Sequence, residues 1–432
     1  MARDTAKWLE QAVIYEVFPR NHSSEGNLSG VTKDLERIKD LGTDIVWLMP
    51  IHPIGKLGRK GDYGSPYSIK DYRQIDSDLG TESDFKELID TAHELGLKVM
   101  MDVVYNHTSN DSKLSKEHPE WFYRDNEGSV SRKFEEWSDI ADLNYDEKEL
   151  WEYQIDTLAY WANMGVDGFR CDVAPMVPID FWIQARKQLS DKNEIIWLAE
   201  SVEKSFVKFL RDSGYRVNCD PILHQAFDLT FDYDGVEYLK KYFQGTGELK
   251  DYLNHLHIQE TLYPEHAVKM RFLENHDNPR IASIISDKAR LRNWTLFYNL
   301  LPGAVLLYSG QEYALTHWPD LFSYDTIDWQ NGDDNFYEFI RKALHVARDI
   351  KKKCSNYTIE QIANGIIKME WWNGEETFVA IINLEDRYRH TPVGLDYLGV
   401  DMLSGKRIKL DSSFVLGKDP ILIKVDTPGD VI

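Results

Sequence analysis

The sequence predicts an α/β chain built on a (β/α)8 TIM barrel, with a small inserted subdomain after strand 3 and a C-terminal antiparallel β-sandwich. Three observations carry this expectation. Apolar runs of strand length alternate with amphipathic helical stretches over most of the chain. Eight such runs can be marked, the number that closes a barrel. Several end in an ionisable side chain, as barrel strands do where they open onto the functional face: His107, Asp172, Glu200 and, just past its run, Asp277.

The runs fall at residues 12–17, 44–49, 98–104, 168–171, 195–199, 226–231, 268–273 and 304–308. Each is nearly continuous in apolar residues, because a parallel barrel strand is covered on both faces. Residues 82–95, 147–164, 179–189, 202–213 and 291–300 carry helical spacing between them. One connection is too long for a simple turn. From 106 to 145 the chain is polar and aromatic, with Trp121, Phe134 and Trp137, and it leaves the C-terminal end of strand 3. A loop of that length is usually functional, so it is expected to wall the site. After Cys354 short alternating runs are separated by Asn364-Gly365, Asn373-Gly374 and Ser404-Gly405 turns, which predicts antiparallel β structure. The expected organisation is barrel over 1–105 and 146–353, insertion over 106–145, and sandwich over 354–432.

With 432 residues the chain exceeds what one core usually supports, and 42% hydrophobic residues suit a globular protein. A net charge of −22 excludes nucleic acid as a partner, since no basic surface balances the acid. The basic triplet Lys351-Lys352-Lys353 is expected to cap a helix C-terminus. Cys171, Cys219 and Cys354 are too few and too scattered for a disulfide framework or a zinc site, and are expected to be small buried hydrophobes. No apolar run marks a signal peptide or a membrane span, so the expectation is a cytoplasmic protein without a membrane partner. Oligomeric state is not encoded legibly.

Arg170 and Asp172 are two apart on a strand and so share a side, which in a barrel is the inside. A guanidinium there is expected to favour the ionised carboxylate a nucleophile needs. Glu200 leaves a run containing Trp197, where desolvation would raise its pKa toward that of a general acid. Cleavage of a glycosidic bond requires this division of labour. A strand-end salt bridge would explain any one of these acids, but not three of them on three strands.

Specific segments then resemble glycoside hydrolase family 13, the α-amylase family. Asp102-Val103-Val104-Tyr105-Asn106-His107 is similar to its first motif, Gly168-Phe169-Arg170-Cys171-Asp172 to its nucleophile motif, and Glu274-Asn275-His276-Asp277 to its fourth. Glu200 matches the acid/base position, and residues 42–53 and 308–312 agree with weaker motifs. The resemblance implies Asp172 as nucleophile, Glu200 as acid/base and Asp277 as the carboxylate that binds sugar hydroxyls. It implies Arg170, His107 and His276 as contacts to the reacting sugar, and Tyr67 as the aromatic stacked on it. Arg280 is either a further contact or an ion pair. The implied substrate is an α-glucan oligosaccharide, cleaved by double displacement at α-1,4 bonds of maltodextrins; the alternative is a 4-α-glucanotransferase.

Three departures from the family pattern bear on specificity. Gly64 stands where the α-glucosidase branch has aspartate, which argues against exo action. Pro175-Met176 replaces a lysine–histidine pair, and the first strand lies close to residue 1, without the extra domain of the neopullulanase branch. The resemblance also raises calcium, with Asn106 and Asp142 as oxygen ligands and the Met176 main chain as a third, but the metal ligand set stays open. Of the adjacent Trp371 and Trp372, one is expected in the core and the other half-covered.

Overall fold

Eight parallel strands close on themselves in the computed structural model, which describes residues 4–125, 127–190, 194–385, 396–411 and 414–426. In chain order the barrel strands are Val13–Val17, Ile45–Leu48, Lys98–Val103, Gly168–Cys171, Ile196–Ala199, Leu229–Phe231, Val268–Arg271 and Ala304–Tyr308. Each pairs with its neighbours in sequence, and strand one closes the ring by lying between strands two and eight, Ile14 opposite Ile45 and Val13 opposite Val305. Apart from Lys98 every strand residue is buried, which is why the runs are so uniformly apolar.

The sixth strand is shorter than the run that predicted it. Ala226 and Phe227 belong to the turn after helix Asp220–Leu223. Asp228 then turns its carboxylate onto the Trp197 N–H at 2.9 Å and onto Arg186 at 2.7 Å, so the ladder starts only at Leu229. Strand seven carries two buried cations. Lys269 contacts Asp220 at 2.6 Å and Asp234 at 2.9 Å, and Arg271 contacts Asp232 at 2.8 Å and Gln259 at 2.8 Å. These partners come from helices Tyr233–Phe243 and Leu249–Leu262 and the segments before them, so the layer outside strand seven is ionic.

Helices Glu82–Glu94, Lys148–Asn163, Ile179–Gln188, Lys204–Asp212 and Lys288–Leu300 lie where the sequence carries helical spacing. The first is fixed by a reciprocal capping box between Thr81 and Asp84. Helix Asp334–Lys353 ends in the basic triplet, but Lys351 does not serve its own terminus. Its buried ammonium donates to Gly303 O at 2.9 Å, just beyond the end of the neighbouring helix Lys288–Leu300.

The insertion after strand three is pinned by a short antiparallel pair, His107–Ser109 with Ile140–Asp142. Trp121 is buried and stacked on His118 at 3.8 Å, so it is packing and not a free aromatic face. The C-terminal strands form one continuous six-stranded antiparallel sheet among the described residues, where two facing sheets were expected. Its inner face joins the barrel core through Ile367, Met369, Phe378 and Ile382. The outer face is covered by Leu410 of the edge strand Arg407–Leu410, where the sheet curls over itself, and by Leu416 beyond it, both against Ile366, Val379 and Ile423. Trp371 is core, against Tyr357 at 4.9 Å, and Trp372 is half-buried. All three cysteines are free thiols, two of them buried. Among the described residues no helix is long and apolar enough to cross a membrane.

Candidate active site

Strands three and four run side by side with Asp102 directly opposite Arg170, and both are fully buried. Their close approach to strand five depends on Gly168, where a Cβ would stand 2.8 Å from the Ile196 carbonyl oxygen. Arg170 faces three carboxylates at once. Its Nη1 donates to Asp102 at 3.0 Å and to Asp172 Oδ1 at 2.9 Å, and its Nη2 lies 2.7 Å from Glu200 Oε1. That last approach is out of line for a hydrogen bond, so it is an ionic contact only. The guanidinium is held 5.0 Å above the Trp47 ring.

Glu200 is fixed from a second side by the backbone. The Val173 N–H donates to its Oε2 at 2.7 Å. Val173 adopts φ 36° and ψ 44°, left-handed geometry that a β-branched residue strongly resists. The strained turn after Asp172 therefore does something definite: it aims a donor at the neighbouring strand's carboxylate.

Desolvation pushes the pKa of both carboxyls up, to about 7 for Asp172 and about 7 for Glu200, with Arg170 opposing and like charges adding to the rise. Asp102 is also raised, to about 6, for the same first reason. The expectation that Arg170 would hold Asp172 low is thus corrected, because desolvation outweighs a guanidinium that is divided among three acids. The group as a whole retains a proton near neutrality. The two differ in how they meet the guanidinium, Asp172 through an aligned hydrogen bond and Glu200 through an ionic contact.

Asp277 lies at the lip, its side chain 48% exposed. Desolvation works against its charge, but His276, with Nε2 at 3.1 Å, overrides it and holds Asp277 below the ordinary carboxylate range. His276 is buried and also contacts Glu16 at 2.5 Å and the Tyr67 hydroxyl at 2.8 Å. Tyr67 donates in turn to Asp102 at 3.2 Å, and its ring stacks on His276. His107 is buried, kept neutral by desolvation, and lies beside Trp137 at 5.7 Å. So Asp172, Glu200, Asp277, Arg170, His107, His276 and Tyr67 converge on one mouth. Arg280 does not: it is buried in an ion pair with Glu274 at 2.8 Å and bonds to loop carbonyls.

Two groups escape a reading of the sequence. Asp102 sits inside a motif without marking its own role, and Glu16 is a charged residue in the otherwise apolar run of strand one. That isolated charge is the available signal.

The calcium expectation meets a poor donor set. Asn106 Oδ1 is buried without a partner, as a ligand oxygen would be. However, Asn106 Nδ2 already donates to Asp142 Oδ1 at 3.2 Å, and the Lys133 N–H takes Asp142 Oδ2 at 2.7 Å. No cluster of three His, Cys, Asp or Glu side chains suited to a metal occurs among the described residues. One orphaned amide oxygen and one engaged carboxylate do not make the six to eight oxygens calcium takes, and the residues do not fit the ion.

Residues 13–395 match the α-amylase catalytic domain. The chain belongs to the α-amylase family. It is 44% identical to an α-amylase from Lactobacillus plantarum whose crystal structure superposes with a TM-score of 0.93, covering 98% of this chain and 100% of that one. A noncanonic maltogenic α-amylase, AmyB from Thermotoga neapolitana, is 34% identical with a TM-score of 0.86, covering 97% and 99%. Among curated sequences, α-amylase MalA of Haloarcula japonica is 28% identical over 427 residues, 93% of this chain but 60% of that protein. The chain thus spans less than two thirds of that relative's length. It is an α-amylase-family glycoside hydrolase.

Proposed function

We propose that this enzyme hydrolyses α-1,4-glucosidic bonds in soluble maltodextrins with retention at the anomeric carbon. The observation that carries the reading is that one guanidinium contacts both Asp172 and Glu200. Two carboxyls gathered on one guanidinium support a retaining pair, for which a separation of roughly 5–5.5 Å is expected. Protonated Glu200 gives its proton to the glycosidic oxygen as that bond breaks. Asp172 attacks the anomeric carbon through Oδ2, since Oδ1 is engaged by Arg170. Glu200, now ionised, takes a proton from the water that cleaves the glycosyl ester, and both groups are restored.

Substrate length is argued from Gly64. It sits at φ +81°, and a Cβ there would meet Arg59 and Ile54, each at 2.9 Å, so an aspartate of the exo-glucosidase type has no place. This supports internal cleavage of maltopentaose and longer chains with poor action on maltose. The maltogenic name of the Thermotoga relative agrees with short maltodextrin products. Free, scattered cysteines support work inside the cell on dextrins already in solution.

One observation favours glucanotransferase as the second reading. Beside Glu200 the half-buried Trp137, Val202 and Phe206 lie over a buried apolar cluster of Val173, Met176, Val207 and Leu210, an apolar wall that suits the face of a sugar acceptor better than water. Product analysis on maltoheptaose over time, with NMR of the first anomer, decides. Shorter α-anomeric sugars alone support the proposal, and longer sugars indicate transfer. A β-anomer would exclude retention, and glucose as the sole early product would move the enzyme to the α-glucosidases.

A further inference from the structure

Glu16 stands on strand one, fully buried in a run that is otherwise apolar. Its Oε1 lies 2.5 Å from His276 Nδ1, and its Oε2 is buried without a hydrogen-bond partner among the described residues. The opposite ring nitrogen, Nε2, is hydrogen-bonded to the Tyr67 hydroxyl at 2.8 Å, whose own proton goes to Asp102, and makes an ionic contact with Asp277 Oδ2 at 3.1 Å. An imidazole with acceptors on both sides is satisfied only when both nitrogens carry protons. The ring cannot turn away, since Tyr67 stacks on it at 5.3 Å, Trp47 meets it edge-on at 5.9 Å, and the Trp318 indole N–H holds its carbonyl at 3.0 Å.

We propose that Glu16 is a positioning residue of the active site: its buried carboxylate holds His276 doubly protonated, so that the ring faces Asp277 as a cation and holds that carboxylate in place by charge for the sugar hydroxyls. The charged and titratable groups that face the pair among the described residues come from four elements. Tyr308 approaches Glu16 from strand eight, Asp102 approaches the ring from strand three, Tyr67 from the loop after strand two, and Asp277 from the turn after strand seven. Arg170 adds its charge to the support of the Asp277 carboxylate. The chain thus carries a three-member line, Glu16–His276–Asp277, running from inside the barrel to the lip. Its outer end touches substrate in the proposed hydrolysis, on which the kinetic half of the test rests.

The test is Glu16→Gln, which keeps the shape and removes the charge. Without the carboxylate His276 should titrate near the ordinary histidine value of about 6.5. Above that pH its bare Nε2 would face Asp277. The expected kinetics are a 10- to 100-fold loss of kcat/KM on maltoheptaose at pH 8, shrinking as pH falls toward 6, with the alkaline limb displaced by a unit or more. Glu16→Asp, which keeps the charge, should lose rate but leave that limb in place. Histidine ring signals of 15N-labelled protein, assigned with His276→Asn, supply a readout independent of activity. In the wild type the His276 line should stay in its protonated form to pH 9, and in Glu16→Gln it should titrate. A wild-type His276 that deprotonates near pH 6.5 overturns the proposal whether or not any variant folds. So does a Glu16→Gln enzyme with the wild-type pH profile, even if it is less stable.

Discussion

Arg170 meets Asp102, Asp172 and Glu200 with a single positive charge, and the imbalance shapes both catalysis and stability. Glu200→Gln and Asp172→Asn should each lower kcat/KM by a factor on the order of 10^4, about 5 kcal/mol at about 1.4 kcal/mol per power of ten. They should also stabilise the fold. Desolvation raises Glu200 from 4.5 in the unfolded chain to about 7 when folded. The folded protein therefore resists losing that proton, and the cost of the charge grows from about pH 4.5 to 7 and is full above 7. Glu200→Gln removes it, so at pH 8 the variant should be more stable than the wild type by an amount on the order of 1–2 kcal/mol, seen as a higher melting temperature, and the gain should vanish near pH 4. Calorimetry at the two pH values checks this; equal destabilisation at both would show that the carboxyl bears no strain. The sequence made Asp172, Glu200 and Asp277 legible because each comes just after a strand-like run. It did not expose Asp102 or Glu16, which lie within such runs. Only closure of the barrel shows that these two point at Arg170 and His276.

At the level of elements, the barrel strands were legible because burial on both faces forbids polar residues nearly everywhere. Apart from Glu16, Asp102 and Arg170, whose charges meet at the site, strand seven is the exception that the sequence shows but does not explain. Lys269 and Arg271 are matched by acids and amides on the helices and turns flanking strand six and on helix Leu249–Leu262. The pattern of that last helix is hard to read because His255 and Gln259 interrupt its apolar stripe, and both are buried in the same network. The C-terminal strands were legible as strands but not as one sheet, since alternation is the same whether sheet or loop covers the outer face. Lys269 joins Asp220 and Asp234, and also donates to Phe231 O at 3.0 Å. Lys269→Met would leave two buried acids facing each other, a loss of about 3–5 kcal/mol. Urea unfolding should show that loss. A loss below about 1 kcal/mol would mean that water already reaches these acids.

Across the whole molecule one apolar core runs from the barrel into the C-terminal sheet, and backbone groups are shared across the join. Arg290 donates to Leu384 O at 2.7 Å, and the Asn383 N–H donates to Asn293 Oδ1 at 2.7 Å. The two parts should therefore unfold together, and a charge buried near the join should be felt by the entire fold. Lys351 is such a charge. It is 9% exposed and bonds to backbone carbonyls, and no carboxylate is paired with it among the described residues. Burial first, then repulsion from Arg271 and Arg348, pushes its pKa from 10.5 down to about 7. The unfolded chain keeps this proton up to about pH 10.5, while the folded one gives it up from about pH 7. Folding thus becomes more favourable as pH rises between those values, and the full cost is present below pH 7. Lys351→Met carries no such proton. Methionine also leaves the Gly303 carbonyl without its donor, so the informative quantity is the change with pH and not the sign at one pH. Relative to the variant, the wild type should gain on the order of 2–3 kcal/mol between pH 7 and 9.5, seen as a few degrees in the difference of melting temperatures. Parallel melting curves for the two proteins over that range would show that Lys351 stays protonated in the folded state, with its charge carried by the carbonyls alone.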